Sequence, residues 1–88
     1  MEIKLEFKKT LKGLAGFEFG EKTYKEQVKD RQCDKIIFPD HIEMIASSFI
    51  QGFFSSLIEK KGEKYIKDNI KIDARNKQLV ERIYDNIY

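Results

Sequence analysis

Hydrophobic and polar residues alternate over residues 2–7, which is the period of a half-buried strand. After a polar connection that contains glycine, hydrophobic residues recur at helical spacing and predict a helix over residues 16–31. Gly20 in this helix is expected to mark a close approach to the sheet. The continuous apolar run at residues 35–38 predicts a second strand in an interior parallel position, ended by Pro39, which lacks the N–H that a central strand needs.

A short extended piece is predicted at residues 41–45, with Ile42 and Met44 on one face. Further along the chain, Ile66 and the isoleucines that follow it predict a third main strand, most clearly at residues 69–73. These two pieces flank the most hydrophobic part of the chain.

That hydrophobic part predicts a helix from the serine pair at residues 47–48 to a stop at Gly62. Its apolar residues recur at i, i+1, i+4 and i+5, which is typical of a broadly buried helix. Phe49, Phe53 and Leu57 are therefore expected to lie buried beneath the sheet.

The predicted order is strand, helix, strand, helix, strand and helix, with Asn76 as a good N-cap for the last helix. Such alternation predicts a largely parallel sheet with right-handed crossovers. We expect an α/β sandwich with a largely parallel or mixed sheet of three to four strands and three helices. The 88 residues are enough for one domain, residues 1–88.

Charge is close to balance, at a net +2, and lysines outnumber arginines 14 to 3. Arginine binds phosphate groups with two parallel hydrogen bonds, so the low proportion of arginine disfavours a dedicated nucleic-acid surface. Nucleic-acid binding would be favoured only if the lysines cluster once the chain folds. The longest apolar run is too short to span a bilayer, and the first residues do not resemble a signal peptide, so we expect a cytoplasmic protein that does not enter a membrane.

Motifs for catalysis are missing from the sequence: it has no glycine-rich phosphate-binding loop and no hydrolase elbow. The single histidine, His41, stands between Asp40 and Glu43, but a zinc site generally needs three or four ligands and further His or Cys residues. The single cysteine, Cys33, lies in the predicted polar loop Asp30–Lys35 and is interpreted as incidental. We therefore expect no enzyme, no metal site and no cofactor.

The segment after the second strand is the candidate functional site. In open α/β sheets, ligands and partners gather beyond the carboxyl ends of strands, and Asp40, His41 and Glu43 follow such an end. Ser47 and Ser48 open the next helix and have two interpretations. One is a helix N-cap, and the other is a phosphorylation site stabilised by the helix dipole.

Two segments, IIFPD at residues 36–40 and IASSFIQG at residues 45–52, together resemble the bacterial STAS-like domain of unknown function, a relative of anti-sigma-factor antagonists. Residues 14–20 also look like the first helix of that family. In the antagonists, an Asp-Ser-Ser/Thr-Gly turn is phosphorylated on its first serine by a histidine-kinase-like ATPase. Ser47 takes that position, while Ala46 replaces the acidic residue and Phe49 replaces the glycine.

The resemblance implies a non-enzymatic protein–protein interaction module, a partner of a histidine-kinase-like ATPase or of a sigma-factor system. The alternative is a small inhibitor, encoded by a phage or another mobile element, that docks on a host defence complex. The partner's identity, the modification of the serines and the origin of the gene stay open. The chain is expected to be a monomer or a homodimer. A partly exposed aromatic at the terminal Ile87-Tyr88 would suit a dimer contact, and the sequence does not decide between the two states.

Overall fold

The computed structural model describes residues 1–29 and 31–87 of the chain, so the start of the predicted loop at Asp30 and the predicted dimer contact at Tyr88 lie outside the described residues. The strands within the described residues are β1 (Glu2–Lys4), β2 (Gly13–Leu14), β3 (Lys35–Ile37), β4 (Met44–Ile45) and β5 (Lys71–Asp73). The helices are α1 (Phe17–Thr23), which continues as a π-helix over Tyr24–Val28, followed by α2 (Ser47–Lys61), α3 (Glu63–Asn69) and α4 (Lys77–Asp85).

A parallel sheet in the order β1-β3-β5 forms one layer of the fold. Ile3, Ile36 and Ile72 lie opposite one another across the three strands, and all three are buried. Their neighbours along β1 and β5 are exposed, as expected from the period of two. The predicted α/β class, the parallel sheet and the interior position of the second strand are confirmed, and this strand ends at Ile37.

A second, two-stranded parallel sheet joins β2 to β4. The Ala46 N–H extends this pairing by donating to the Leu14 carbonyl at 2.7 Å. The helices α1 and α2 begin within three residues of the ends of β2 and β4, so their N-termini lie side by side. The order of strand, two-residue strand and helix therefore occurs twice, first as β1-β2-α1 and then as β3-β4-α2.

The helices α1 and α2 pack backbone against backbone at two glycines. A Cβ added to Gly20 would lie 2.3 Å from the Phe49 carbonyl oxygen, and a Cβ added to Gly52 would lie 2.0 Å from the Phe17 carbonyl oxygen. The prediction that Gly20 approaches the sheet is therefore wrong: it approaches α2. The reason is that neither helix carries a side chain at the crossing, so the two backbones come into direct contact.

The interior of α2 is aromatic. Phe49, Phe53 and Phe54 are fully buried, which confirms the prediction for Phe49 and Phe53, while Leu57 is half-buried against the core. The Phe53 ring has four aromatic neighbours at centroid distances of 4.9 to 5.9 Å, namely Tyr24, Phe38, Phe49 and Phe54. Such rings contribute large buried areas and specific edge-to-face contacts.

The described residues contain a fourth helix, α3, where three helices were predicted. Gly62, with a φ of 88°, ends α2, and the chain then forms another helical segment instead of extending. Ile66 was assigned to the third strand but lies in α3, because its spacing of four from Ile70 is that of one helix face. The third strand itself is confirmed at Lys71–Asp73.

The last helix follows the prediction closely. The Asn76 side chain caps α4 by accepting from the Leu79 N–H at 2.9 Å. Leu79 and Ile83 are buried on its inner face. The Tyr84 hydroxyl donates to the Ile70 carbonyl at 2.9 Å and accepts from the Ile72 N–H at 3.0 Å, so it ties α4 to the sheet.

Candidate functional site

The segment from Pro39 to Ile45 is held from several sides. Ile42 is buried and its N–H donates to the Pro39 carbonyl at 3.1 Å, which closes a turn at Asp40 and His41. The N–H groups of Glu43 and Met44 both donate to the Lys12 carbonyl, at 2.7 and 3.2 Å. This segment is therefore a well-anchored connection.

Asp40 and Glu43, two of the three predicted partner-binding residues, are exposed on this segment. The Glu43 carboxylate forms an ion pair with the Arg75 guanidinium at 3.3 Å. Both side chains are about half exposed, so the pair contributes about 0–1 kcal/mol to stability. Both carboxylates are accessible to a partner.

His41 is the third predicted residue, and it is placed differently. It is half-buried, and its Nε2 atom is shielded from solvent without a hydrogen-bond partner among the described residues. It lines a cavity together with Phe7 and Pro39. The structure therefore does not present this imidazole nitrogen on the surface that carries Asp40 and Glu43.

Met44 is a residue that the sequence interpretation missed. Its side chain is 70% exposed, the highest fraction among the large hydrophobic residues of the described chain, whereas Ile42 is buried. The two do not share a face as predicted, because Ile42 lies before β4, where its N–H closes the turn on Pro39, so strand alternation does not relate it to Met44. Within β4, Met44 lies on the side opposite the fully buried Ile45. The residue paired with Met44 on β2 is Gly13, which has no side chain to cover it.

The serine pair opens α2, but neither serine is its N-cap. The helix begins at Ser47, the N-cap position is occupied by the extended Ala46, and no side chain in the described part of the chain caps the helix. The N-cap interpretation of Ser47 and Ser48 is therefore wrong. The pairing of β4 with β2 ends at Ala46, whose carbonyl already accepts from the Ile50 N–H at 3.2 Å, so the helix starts one residue earlier than a serine cap requires.

Ser48 instead joins the two helix starts. Its hydroxyl accepts a hydrogen bond from the Gly16 N–H at 3.0 Å, across 32 residues of chain. Gly16 is the N-cap of α1 and has a φ of 101°, a conformation that glycine adopts without strain. Ser48 thus satisfies an amide at the start of α1.

We expect Ser48→Ala to lower the free energy of unfolding by about 0.5–1 kcal/mol, because it removes the acceptor of the Gly16 N–H. Ser47→Ala, one residue away, should change it by less than about 0.5 kcal/mol. Both variants gain the same small helix propensity, so the comparison isolates the hydrogen bond. Urea denaturation of the two variants measures the difference, and equal losses would contradict the role assigned to Ser48.

In the described part of the chain, no group of three or more His, Cys, Asp and Glu side chains is arranged to hold a metal ion. Across residues 1–29 and 31–87, no helix combines the length and apolar character needed to cross a membrane. Comparison with protein-family models, with curated proteins and with solved structures found no match. The resemblance to the STAS-like family therefore stays a prediction.

Proposed function

We propose that this protein is a non-enzymatic module that binds another protein through the β4 surface, defined by Asp40, Glu43, Met44 and Ser48. The observation that carries the proposal is the exposed side chain of Met44, which follows Asp40 and Glu43 in the chain and precedes the start of α2. Methionine is flexible and polarisable, so it adapts to an apolar partner surface. Rim carboxylates such as Asp40 would orient the partner and accelerate its association.

Rigidity of the β4 surface supports this proposal. The Arg82 side chain donates from Nε to the Ile45 carbonyl at 2.7 Å and so ties β4 to α4. On the opposite side, β2 pairs with β4. A surface that is already ordered loses little conformational entropy on binding, so more of its contact energy appears as affinity.

A phosphate on the serine pair would change the charge of this surface. At Ser47 it would add about −1.5 to −2 charges in the first turn of α2, where the helix dipole tolerates negative charge. At Ser48 it would also compete for the hydrogen bond from Gly16. We propose Ser47 as the regulatory position, and a histidine-kinase-like ATPase or a sigma-factor system as the class of partner that the STAS-like resemblance implies.

Photo-crosslinking in the native host tests the β4 surface. We expect benzoylphenylalanine at position 44 to capture a specific protein, identified by mass spectrometry. The matched control carries the crosslinker at Glu81, on the exposed face of α4. Asp40→Asn and Ser47→Asp, each combined with the crosslinker at position 44, should reduce the yield while leaving the melting temperature nearly unchanged.

Two results would contradict the proposal. If neither Asp40→Asn nor Ser47→Asp changes the yield, the segment is only a connection between β3 and α2. If the partner is captured from position 81 and not from position 44, the interface lies on the outer face of α4, around Lys77, Glu81 and Asp85. In the supporting case, the captured protein also distinguishes a regulatory partner from a component of a host defence complex.

A further inference from the structure

A groove lies on another part of the molecule, between the π-helix at Tyr24–Val28 and the second half of α2. We define the groove as two cavities of about 200 and 270 Å³ that have Tyr24 as a common lining residue. The first is lined by Ser55 and Ser56, and the second by Leu57 and Ile70. None of the residues of the β4 surface lines this groove.

The π-helix shapes one wall of the groove. The sequence predicts a regular helix over residues 16–31, but α1 changes to π-helix at Tyr24 and ends at Lys29, which has a left-handed φ of 56°. The Arg31 side chain then turns back, donating from Nε to the Val28 carbonyl at 3.0 Å and from its guanidinium to the Gln27 carbonyl. Short π-helical turns inside helices occur frequently at functional sites.

Positive charge is concentrated along this groove. Among the described residues that line the two cavities, the cations are Lys25, Lys29, Arg31, Lys60 and Lys61, and the one carboxylate is Glu21. The whole chain, by contrast, has 17 basic and 15 acidic residues. Cys33 adds no negative charge at neutral pH, because burial, followed by the charge of Asp34, raises the pKa of its thiol. The described lining of the groove therefore carries more positive than negative charge.

The second cavity is apolar as well as basic. Leu57, Ile70 and Tyr65 line it together with Arg31, Lys60 and Lys61. The Lys61 ammonium lies 5.5 Å from the centre of the Tyr65 ring, a cation–π contact. A cavity of about 270 Å³ has room for one large apolar side chain, and the positive charges of its lining favour carboxylates next to that side chain.

We infer that this groove binds an acidic polypeptide segment that carries an apolar anchor residue. Nucleic acid fits less well for two reasons. Four of the five cations are lysines, which lack the bidentate geometry of arginine toward phosphate. Single-stranded nucleic acid also needs aromatic faces for stacking, whereas Tyr24 is only 4% exposed and Lys61 lies over Tyr65.

Fluorescence anisotropy of the complete chain tests this inference. The probe is a labelled peptide with one leucine between two runs of alternating Asp and Glu, and the control peptide has serine in place of leucine. We expect Lys25→Gln combined with Lys61→Gln to weaken probe binding about tenfold. The matched control, Lys8→Gln combined with Lys64→Gln, removes the same charge from exposed lysines outside the groove.

Support requires three results together: the leucine peptide binds more tightly than the serine peptide, raised salt weakens binding, and only the groove variant loses affinity. Equal losses in the two double variants would show a diffuse charge effect and overturn the inference. If a labelled oligothymidine of about 15 nucleotides binds more tightly than the leucine peptide, the groove binds nucleic acid and the inference is overturned. Because the β4 surface is intact in every variant, its crosslinking result stands or fails separately.

Discussion

Gly52→Ala is expected to lower the free energy of unfolding by about 3 kcal/mol or more, at the upper end of the effect of overpacking a core. Alanine normally stabilises a helix by about 1 kcal/mol relative to glycine, so the expected sign is the reverse of the intrinsic one. The new Cβ would lie 2.0 Å from the Phe17 carbonyl oxygen and 2.7 Å from its carbonyl carbon. These are backbone atoms, so α1 and α2 would have to separate. Thermal and urea denaturation measure the loss.

Gly13→Ala is the control for this prediction. A Cβ there would meet the Met44 Cβ and carbonyl oxygen at 3.7 Å, which is ordinary contact, so stability should change by less than about 1 kcal/mol. Gly20→Ala should resemble Gly52→Ala, since its Cβ would lie 2.3 Å from the Phe49 carbonyl oxygen. If Gly52→Ala melts at or above the parent temperature, the two helices do not cross at this distance.

The helix crossing shows what hydrophobic periodicity could and could not predict. The stripes of apolar residues indicated both helices, because each stripe is local to its own helix. The contact between Gly20 and α2 depends on residues about thirty positions away. A glycine marks a close approach without indicating its partner, so the prediction of Gly20 against the sheet failed while the prediction of a close approach held.

The strands show the same difference between what a local pattern predicts and what it cannot predict. The continuous apolar run before Pro39 predicted β3, and the alternation over residues 2–7 predicted β1 by its period of two. The two residues of β2 are too few to show one, and they were assigned to a connection. Ile66 was misassigned because Ile66, Ile70 and Ile72 stand at even spacings, as residues on one face of a strand do, although the spacing of four between Ile66 and Ile70 suits α3 equally well.

The candidate site was predictable in part. Asp40 and Glu43 are polar residues beyond a strand end, and the structure exposes them there. The exposure of Met44 was not predictable from hydrophobicity, because it depends on pairing with Gly13. The role of Ser48 depends on the Gly16 amide of the other helix start. The basic groove was also hidden, since its lysines come from separate segments whose charges alternate with acids along the sequence.

Phe53→Ala is expected to lower the free energy of unfolding by about 3–5 kcal/mol, because it leaves a cavity that its neighbours only partly fill. The ring is fully buried among four other aromatic rings, from the π-helix, from the end of β3 and from α2 itself. Domains of this size have stabilities of about 5–15 kcal/mol, so the substitution removes a large fraction of the stability. Urea denaturation monitored by circular dichroism measures the change.

Phe17→Ala is the matched control, because it removes the same atoms from a ring that is 44% exposed at the start of α1. Its cost should be less than about 1.5 kcal/mol, since the exposed part of the ring contributes little to the free energy of unfolding. The two variants also separate two arrangements of α2. If Phe53→Ala leaves the denaturation midpoint nearly unchanged while Phe17→Ala lowers it, the face of α2 that carries Phe53 does not pack inside the molecule, and α1 contacts α2 through the Phe17 ring instead of through the two glycines.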